Sequence, residues 1–482
     1  MRLGSSGFEV RGGGFAVLIV TAVLSIAPAA HAENICVAVH PDCPSGAVMS
    51  SSVQGALDAA DTTFPGMDTI YIGEGTFTAG GPGFVYSSPD EVNIIGVGQS
   101  ETILKPSLFG TTTLDVGTSI LNDIESLRID MPPTANATGL ELKGEARSVS
   151  VIGLNSATTS GRAIRTAGTT ISSVEDASIL TSGAGVRGVE VTTTAPVVIQ
   201  NSSITSAFVS VGASNNGPLA IHRSTLQSDR TAIEQGNMDN GTGTAVDNSV
   251  LRLTDPNALA KRALLALGEG KIQADLLTVL GPGSGQGAVA SGPDNGSLAA
   301  ITLDSSIFTG FTQDLSAECS NGGTSLVTVS YSRFTSSGQD PCGNVQTGAG
   351  NTSAAPGFVS TAVTNPTLRW DSALIDAGRP GASSFANDRF GQTRVRDGDG
   401  DGIARRDMGA LEYQRLPPKV TAAASPQSAD PGVPFEFTTS MFGGVSNESG
   451  DSPLQFGWEF DDGTTASTQT AQHAFTTPGP HT

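Results

Sequence analysis

The chain has 482 residues and a formal net charge of −21, with 46 acidic against 25 basic side chains. That balance excludes nucleic acid and anionic membrane surfaces as partners, since both need basic patches. With 15% charged residues, 38% hydrophobic residues and 60 glycines, the chain is too apolar for disorder and too poor in long helix formers for a helical protein, which leaves an all-β exported protein.

In chain order, Arg2 and Arg11 precede and flank an apolar run, Phe15 to Ile26, and Ala30-His31-Ala32 is a small-x-small cleavage site. This pattern predicts a secretory signal peptide over 1–32, its apolar run too short to span a bilayer. The mature chain is therefore expected to be extracellular, without a membrane span. The four cysteines fall into two close pairs, Cys36 with Cys43 and Cys319 with Cys342. An even count in an oxidising compartment predicts two local disulfides. A serine run followed by apolar residues at helical spacing predicts a short helix near Val53 to Ala60, suited to covering one end of the fold.

A small polar pair followed by an apolar residue then recurs, with anchors at Leu127, Ile179, Ile204, Leu226, Leu251, Leu277, Ile307 and Phe334 and a further copy near Val151. From Ile179 onward the steps are 25, 22, 25, 26, 30 and 27 residues. Leucine-rich and helical repeats lack their required positions here, so the period predicts short strands coiled into a parallel β-helix of roughly ten coils. The rival, a β-sandwich array, needs longer strands and more regular hairpins. The stretch Asp255 to Leu267 fits either a short helix on a coil corner or a buried strand.

Three stretches resemble known families. The helix, then Phe64-Pro65-Gly66-Met67-Asp68-Thr69-Ile70-Tyr71-Ile72, Gly73-Glu74-Gly75 and Val92-Asn93-Ile94-Ile95-Gly96, resemble the opening of right-handed parallel β-helix proteins of the pectin-lyase-like superfamily, a likeness running from residue 45 to about 345. Pro356-Gly357-Phe358, Ser372-Ala373-Leu374-Ile375-Asp376-Ala377-Gly378, Asp388, Arg394 and Asp407-Met408-Gly409-Ala410-Leu411-Glu412 resemble the segment known as choice-of-anchor Q, which implies a secreted or surface location. Trp458-Glu459-Phe460-Asp461-Asp462-Gly463 and His473-Ala474-Phe475 resemble a PKD domain with a core of Trp458, Phe460 and Phe475. Its last strand is expected to begin where the sequence stops, as in a truncated sandwich. The expected organisation is a signal peptide (1–32), a β-helix (33–354), a closing or capping segment (355–416) and a partial immunoglobulin-like PKD sandwich (417–482).

Enzymes of this fold that cleave polysaccharides need either a base beside a carbon next to a carboxylate, often with Ca²⁺, or two carboxylates at fixed separation. The signatures of the related polygalacturonases are absent. Arg223, Arg252 and Arg333 each sit near a coil anchor and are the candidate catalytic cations; the alternative is a set of solvated arginines. Asp176, Asp229, Asp247, Asp275 and Asp304 recur near anchors as well, as turn residues or ladder partners. His222 alone carries no signal.

Asp397, Asp399 and Asp401 alternate before Gly402, and with Asp407 they form a candidate Ca²⁺ site. The set departs from an EF-hand, whose bidentate position would fall on Met408. The alternative is neutralisation by Arg394, Arg396, Arg405 and Arg406. Asp376, Arg394 and Glu412 are candidate polar clamps, with Ile375, Met408 and Leu411 burying against the last coil. The leading functional expectation is a secreted or cell-surface scaffold binding polysaccharide or cell-surface glycan. The alternative is a calcium-assisted polysaccharide lyase, and a third is a structural spacer.

Overall fold

The structure, a computed structural model, describes residues 33–481 except 61–65, 109, 117–121, 155–159, 215–216, 237–242, 258–259, 295, 361–364, 382–384, 400, 415–418 and 443–455. The signal peptide expected over 1–32 and Phe64-Pro65 lie outside these residues. Among the described residues no helix is long and apolar enough to cross a membrane.

Three parallel sheets of 14, 10 and 11 strands run the length of a parallel β-helix. Each of ten complete coils contributes one short strand to each sheet, and the remaining strands lie at the two ends. In-register stacking puts like residues above one another. In the first sheet the column Ile124, Ala146, Val174, Ile199, Ile221, Val246, Ala274, Leu303 points inward. In the second the column is Leu104, Ile129, Val151, Ile179, Ile204, Leu226, Leu251, Val279, Phe308. These residues form one continuous buried core, the expected result when no coil can bury its apolar face alone. Arg262–Leu267 is a strand of the third sheet. Asp255 there accepts the Asn257 amide in a turn instead of opening a helix.

The second column corrects three repeat anchors. Ile129, Val279 and Phe308 hold the positions read as Leu127, Leu277 and Ile307. For Leu127 and Leu277 two inward positions flank one outward position, and a leucine fits either, so a two-residue slip preserves the apolar pattern. Ile307 is one residue off, an outward position that is apolar because the segment after the last coil covers it.

The corner between the first and second sheets repeats in every coil. One residue has left-handed backbone there: Ser148, Asp176, Asn201, Arg223, Asn248, Leu276, Ser305 and Tyr331 follow one another up the stack. The next position is commonly serine and fully buried, as at Ser202, Ser224, Ser249, Ser306 and Ser332. The amide of Ser202 donates to Ser224 Oγ at 3.2 Å and that of Ser224 to Ser249 Oγ at 3.0 Å. Each hydroxyl in turn donates to the carbonyl two residues back, as Ser224 does to His222 at 2.9 Å. The serines thus satisfy amides that the turn removes from the sheet ladders.

Helix Val53–Ala60 covers the N-terminal end with Val53, Ala56, Leu57 and Ala60 buried. Ser52 Oγ accepts the Gly55 amide at its start. Gln54 pairs with both backbone groups of Val85, serving as the missing neighbour of an edge strand. Disulfides join Cys36 to Cys43 and Cys319 to Cys342.

The described residues of 355–414 are largely irregular and lie along the flank of the solenoid, over the serine corner, in place of the expected contact with the last coil alone. Arg379 reaches Asp304, Arg394 reaches Asn248 and Arg389 reaches Thr225. The outward row of the second sheet records this cover. Ser178 and Ser203 are exposed, whereas Val250, Thr278, Ile307 and Arg333 in the same row are buried. Ile307 packs with Leu368, Leu374, Ile375 and Met408 in a separate cluster. Gly409 sits at φ 96°, and a Cβ there would fall 2.7 Å from Thr278 Oγ1 and 2.8 Å from Ile307 Cδ1, so only glycine allows this approach.

The C-terminal unit pairs Lys419–Ser425, Phe435–Phe442 and Thr470–His473 antiparallel, with a small hairpin of Trp458–Glu459 and Thr465–Ala466. Phe460, Ala471 and Phe475 form its core, with Phe435, Phe437 and Trp458 against it.

Candidate functional site

The last residue of each first-sheet strand forms a row at the corner: Glu175, Gln200, His222, Asp247, Asp275 and Asp304, in register. Three aspartates stacked at strand spacing repel one another unless cations neutralise them. The flanking segment supplies these, with Arg406 3.7 Å from Asp275 and Arg379 paired to Asp304. Asp275 is still pushed up to about 6, first by burial and then by Asp304. Asp247 takes a different partner. Its Oδ2 lies 2.5 Å from His222 Nδ1, and this bond, opposed by burial, raises the histidine.

A cleft of about 380 Å³ opens at this point, lined by Gln200, His222, Arg223, Asp247 and Asn248 on the solenoid and by Phe385, Ala386 and Asn387 on the flanking segment. Pairing through Nδ1 leaves Nε2 of His222 for another partner. Arg223 lines the same cleft from a left-handed position, φ 44°, and no acidic partner lies within ion-pair distance among the described residues. A polar chain runs inward from the cleft. Asn248 Nδ2 donates to Asp247 Oδ1 at 3.0 Å, Arg394 Nε donates to Asn248 Oδ1 at 2.7 Å, and Arg394 also pairs with Glu412 at 3.2 Å.

The three candidate arginines do not cluster. Arg223 is in the cleft. Arg252 lies on the second sheet, in register with Gln227 and Leu280. Arg333 is buried and donates to the carbonyls of Ala354 and Phe308, so it fastens the segment and cannot meet a ligand. The sequence reading passed over His222, Asp247 and Asn248 as a group. Their signal was positional, because Gln200, His222 and Asp247 each precede their column residue by four.

The acidic side chains of the flanking segment replace a strand ladder. Asp376 accepts the amides of Gly398, Asp399 and Arg405. Asp407 accepts those of Asp376 and Tyr413, Glu412 those of Arg396 and Asp407, and Asp388 those of Phe390, Gln392 and Glu412. An irregular buried chain has few other acceptors for these groups. Burial and the neighbouring Glu412 lift Asp407 well above the usual carboxylate range, and burial also lifts Glu412 despite Arg394.

Of the candidate Ca²⁺ ligands, Asp397 and Asp399 come together with Asp376, an oxygen of each within 4.8 Å of the others. Asp407 and Asp401 lie outside that set: Asp407 accepts the Asp376 and Tyr413 amides, and Asp401 faces Arg405 at 3.6 Å.

Residues 415–482 match the PKD domain. No curated protein matches the chain. Among solved structures, pectate lyase Pel9A is similar at 11% identity and a TM-score of 0.43, over 80% of this chain and 98% of that one. The A-module of the Azotobacter vinelandii mannuronan C-5 epimerase AlgE4 is similar at 14% identity and a TM-score of 0.28, over 62% of this chain and 91% of that one.

Proposed function

We propose that the chain is an exported glycan-binding solenoid whose ligand lies in the cleft at His222. The observation that carries this reading is the cleft itself, where His222, Gln200 and Arg223 on one wall face Phe385 and Asn387 on the other. Polar groups with an aromatic edge are the chemistry that sugars need. Within this reading Ca²⁺ is held apart from the cleft, by Asp376, Asp397 and Asp399, as a brace for the flanking segment. Titration of the full chain with neutral, uronate-containing and sulfated oligosaccharides tests the proposal. His222→Ala and Asn387→Ala are expected to weaken binding by about tenfold. Failure to bind any of the three classes sinks it.

A second reading is favoured by the His222–Asp247 pair alone. A histidine with its tautomer fixed by a carboxylate can take a proton at Nε2. On a uronate glycan it would remove the C5 proton, the C4–C5 double bond would form, and the C4–O bond would break with its oxygen protonated by solvent. Ultraviolet absorbance from unsaturated uronate ends, lost in His222→Asn, would support this. A flat trace on every uronate polysaccharide would rule it out.

A further inference from the structure

Most arginines of this acidic chain have a carboxylate beside them: Arg147, Arg162, Arg187, Arg262, Arg379, Arg394 and Arg406 are ion-paired. Among those that are not, one lies in the cleft and one just beyond its wall residue Asn387. Arg223 lines the cleft, and Arg389 stands over Thr225, two residues along the same corner, donating from Nε and a terminal nitrogen to Thr225 Oγ1 at 3.3 and 3.2 Å. Thr225 is neutral. Asp388, the acid next to Arg389 in the chain, is 1% exposed and spends both oxygens on backbone amides. Neither guanidinium has an acidic partner within 4.0 Å among the described residues, and both are half-buried. Burial first, and then repulsion by Arg223, push Arg389 down, with Asp388 opposing.

Two neighbouring, partly desolvated cations, offset at Arg389 by an Asp388 carboxylate already committed to backbone amides, are costly unless a further anion joins them. The corner could have held serine or asparagine at position 223, as its neighbours do at 148 and 201. Arginine there keeps a charge in a strained backbone at the mouth of a cleft, the combination found where strain serves a ligand. Resting on the glycan-binding reading above, we propose that Arg223 and Arg389 form a subsite for one anionic substituent, a carboxylate or a sulfate ester, on the glycan in the cleft. The site is shared: the solenoid supplies Arg223 and the flanking segment Arg389. Guanidinium groups suit either anion because each presents a planar pair of donors.

The test uses the full chain with uronate, sulfated and neutral oligosaccharides of equal length. Wild type is expected to bind at least one acidic class about tenfold more tightly than the neutral one. Arg389→Gln should abolish that preference and leave neutral binding unchanged. Arg223→Gln, a change in the cleft wall itself, should weaken acidic binding well beyond any loss of neutral binding, whereas Arg230→Gln, an arginine packed on Phe208, should do neither. Arg389→Lys keeps the charge and controls for folding, and it should retain part of the preference. Preference for the uronate or for the sulfated ligand identifies the substituent. Equal binding of neutral and acidic ligands, unmoved by Arg223→Gln and Arg389→Gln, overturns the subsite and leaves glycan binding standing. If no glycan binds, the glycan reading falls, and titration with sulfate and with acetate decides the subsite alone. Saturable shifts of the Arg223 and Arg389 Nε resonances would uphold it, and their absence would overturn it.

Discussion

Arg394 and Asn248, from segments 146 residues apart, meet at 2.7 Å between Nε and Oδ1. Through this bond the flanking segment reaches the cleft, since Asn248 donates to Asp247 and Asp247 holds His222. Arg394 and Glu412 are sealed from solvent, with side-chain exposures of 0% and 1%. Removing one partner strands the other charge, so Arg394→Met is expected to cost about 3–5 kcal/mol in urea denaturation. In the folded variant the His222 titration, followed by NMR, should move as well. A stability loss with an unmoved His222 would show that the chain of bonds ends at Asn248.

The flank should tighten as pH falls. Asp275 lies at about 6 when folded and near 3.8 unfolded, so between these values the native chain binds the extra proton. Stability therefore rises as pH drops through about 6, and the gain is complete below the unfolded value. His222, raised by Asp247, acts in the same sense, because its contribution is present at low pH and lost as pH climbs through its folded value. Thermal midpoints measured from pH 8 to 5 should climb. Asp275→Asn should raise the midpoint at pH 8 and flatten the slope near 6. A parallel slope in that variant would assign the effect to other groups.

Ser224→Ala deletes the acceptor of the Ser202 amide and leaves a buried N–H without a partner. The expected cost is about 1–3 kcal/mol by chemical denaturation. Thr225→Ala, one position along and facing outward, should cost less than half as much. Equal costs would show that the serine stack contributes no more than its packing.

Calcium is expected to raise the thermal midpoint of the wild-type chain, and EDTA to reverse the effect. Asp397→Asn and Asp399→Asn should lose that response, while Asp401→Asn, whose carboxylate faces Arg405, should keep it. An unchanged midpoint with chelator would identify the acidic turn as one held by its own amides and Arg405.

The solenoid was legible because strand stacking forces one column of apolar residues to recur at coil length, and Ile179, Ile204, Leu226 and Leu251 do so. Register was less legible, since Leu277 and Val279 are both inward and both aliphatic. The docking site of the flanking segment left a signal in Val250 and Ile307, apolar residues on an outward row that is serine lower in the stack. Only register turns that into evidence of cover. The cleft was least legible: His222 and Asp247 are 25 residues apart, and their pairing exists only once successive coils are aligned. Asp407 reads as a metal ligand in the sequence and Asp376 and Glu412 as clamps, and in the fold all three accept backbone amides, because an irregular segment lacks the acceptors that strands provide.

The flanking segment touches Thr225, Asn248, Asp275, Thr278, Asp304 and Ser305 at once. A bare solenoid couples each coil only to its neighbours, so it can fray from an end one coil at a time. Here a single strap splints several coils, and none of them can peel away without releasing the others. Loss of order in that half should be all-or-none, while the coils nearer the N-terminus remain free to open stepwise.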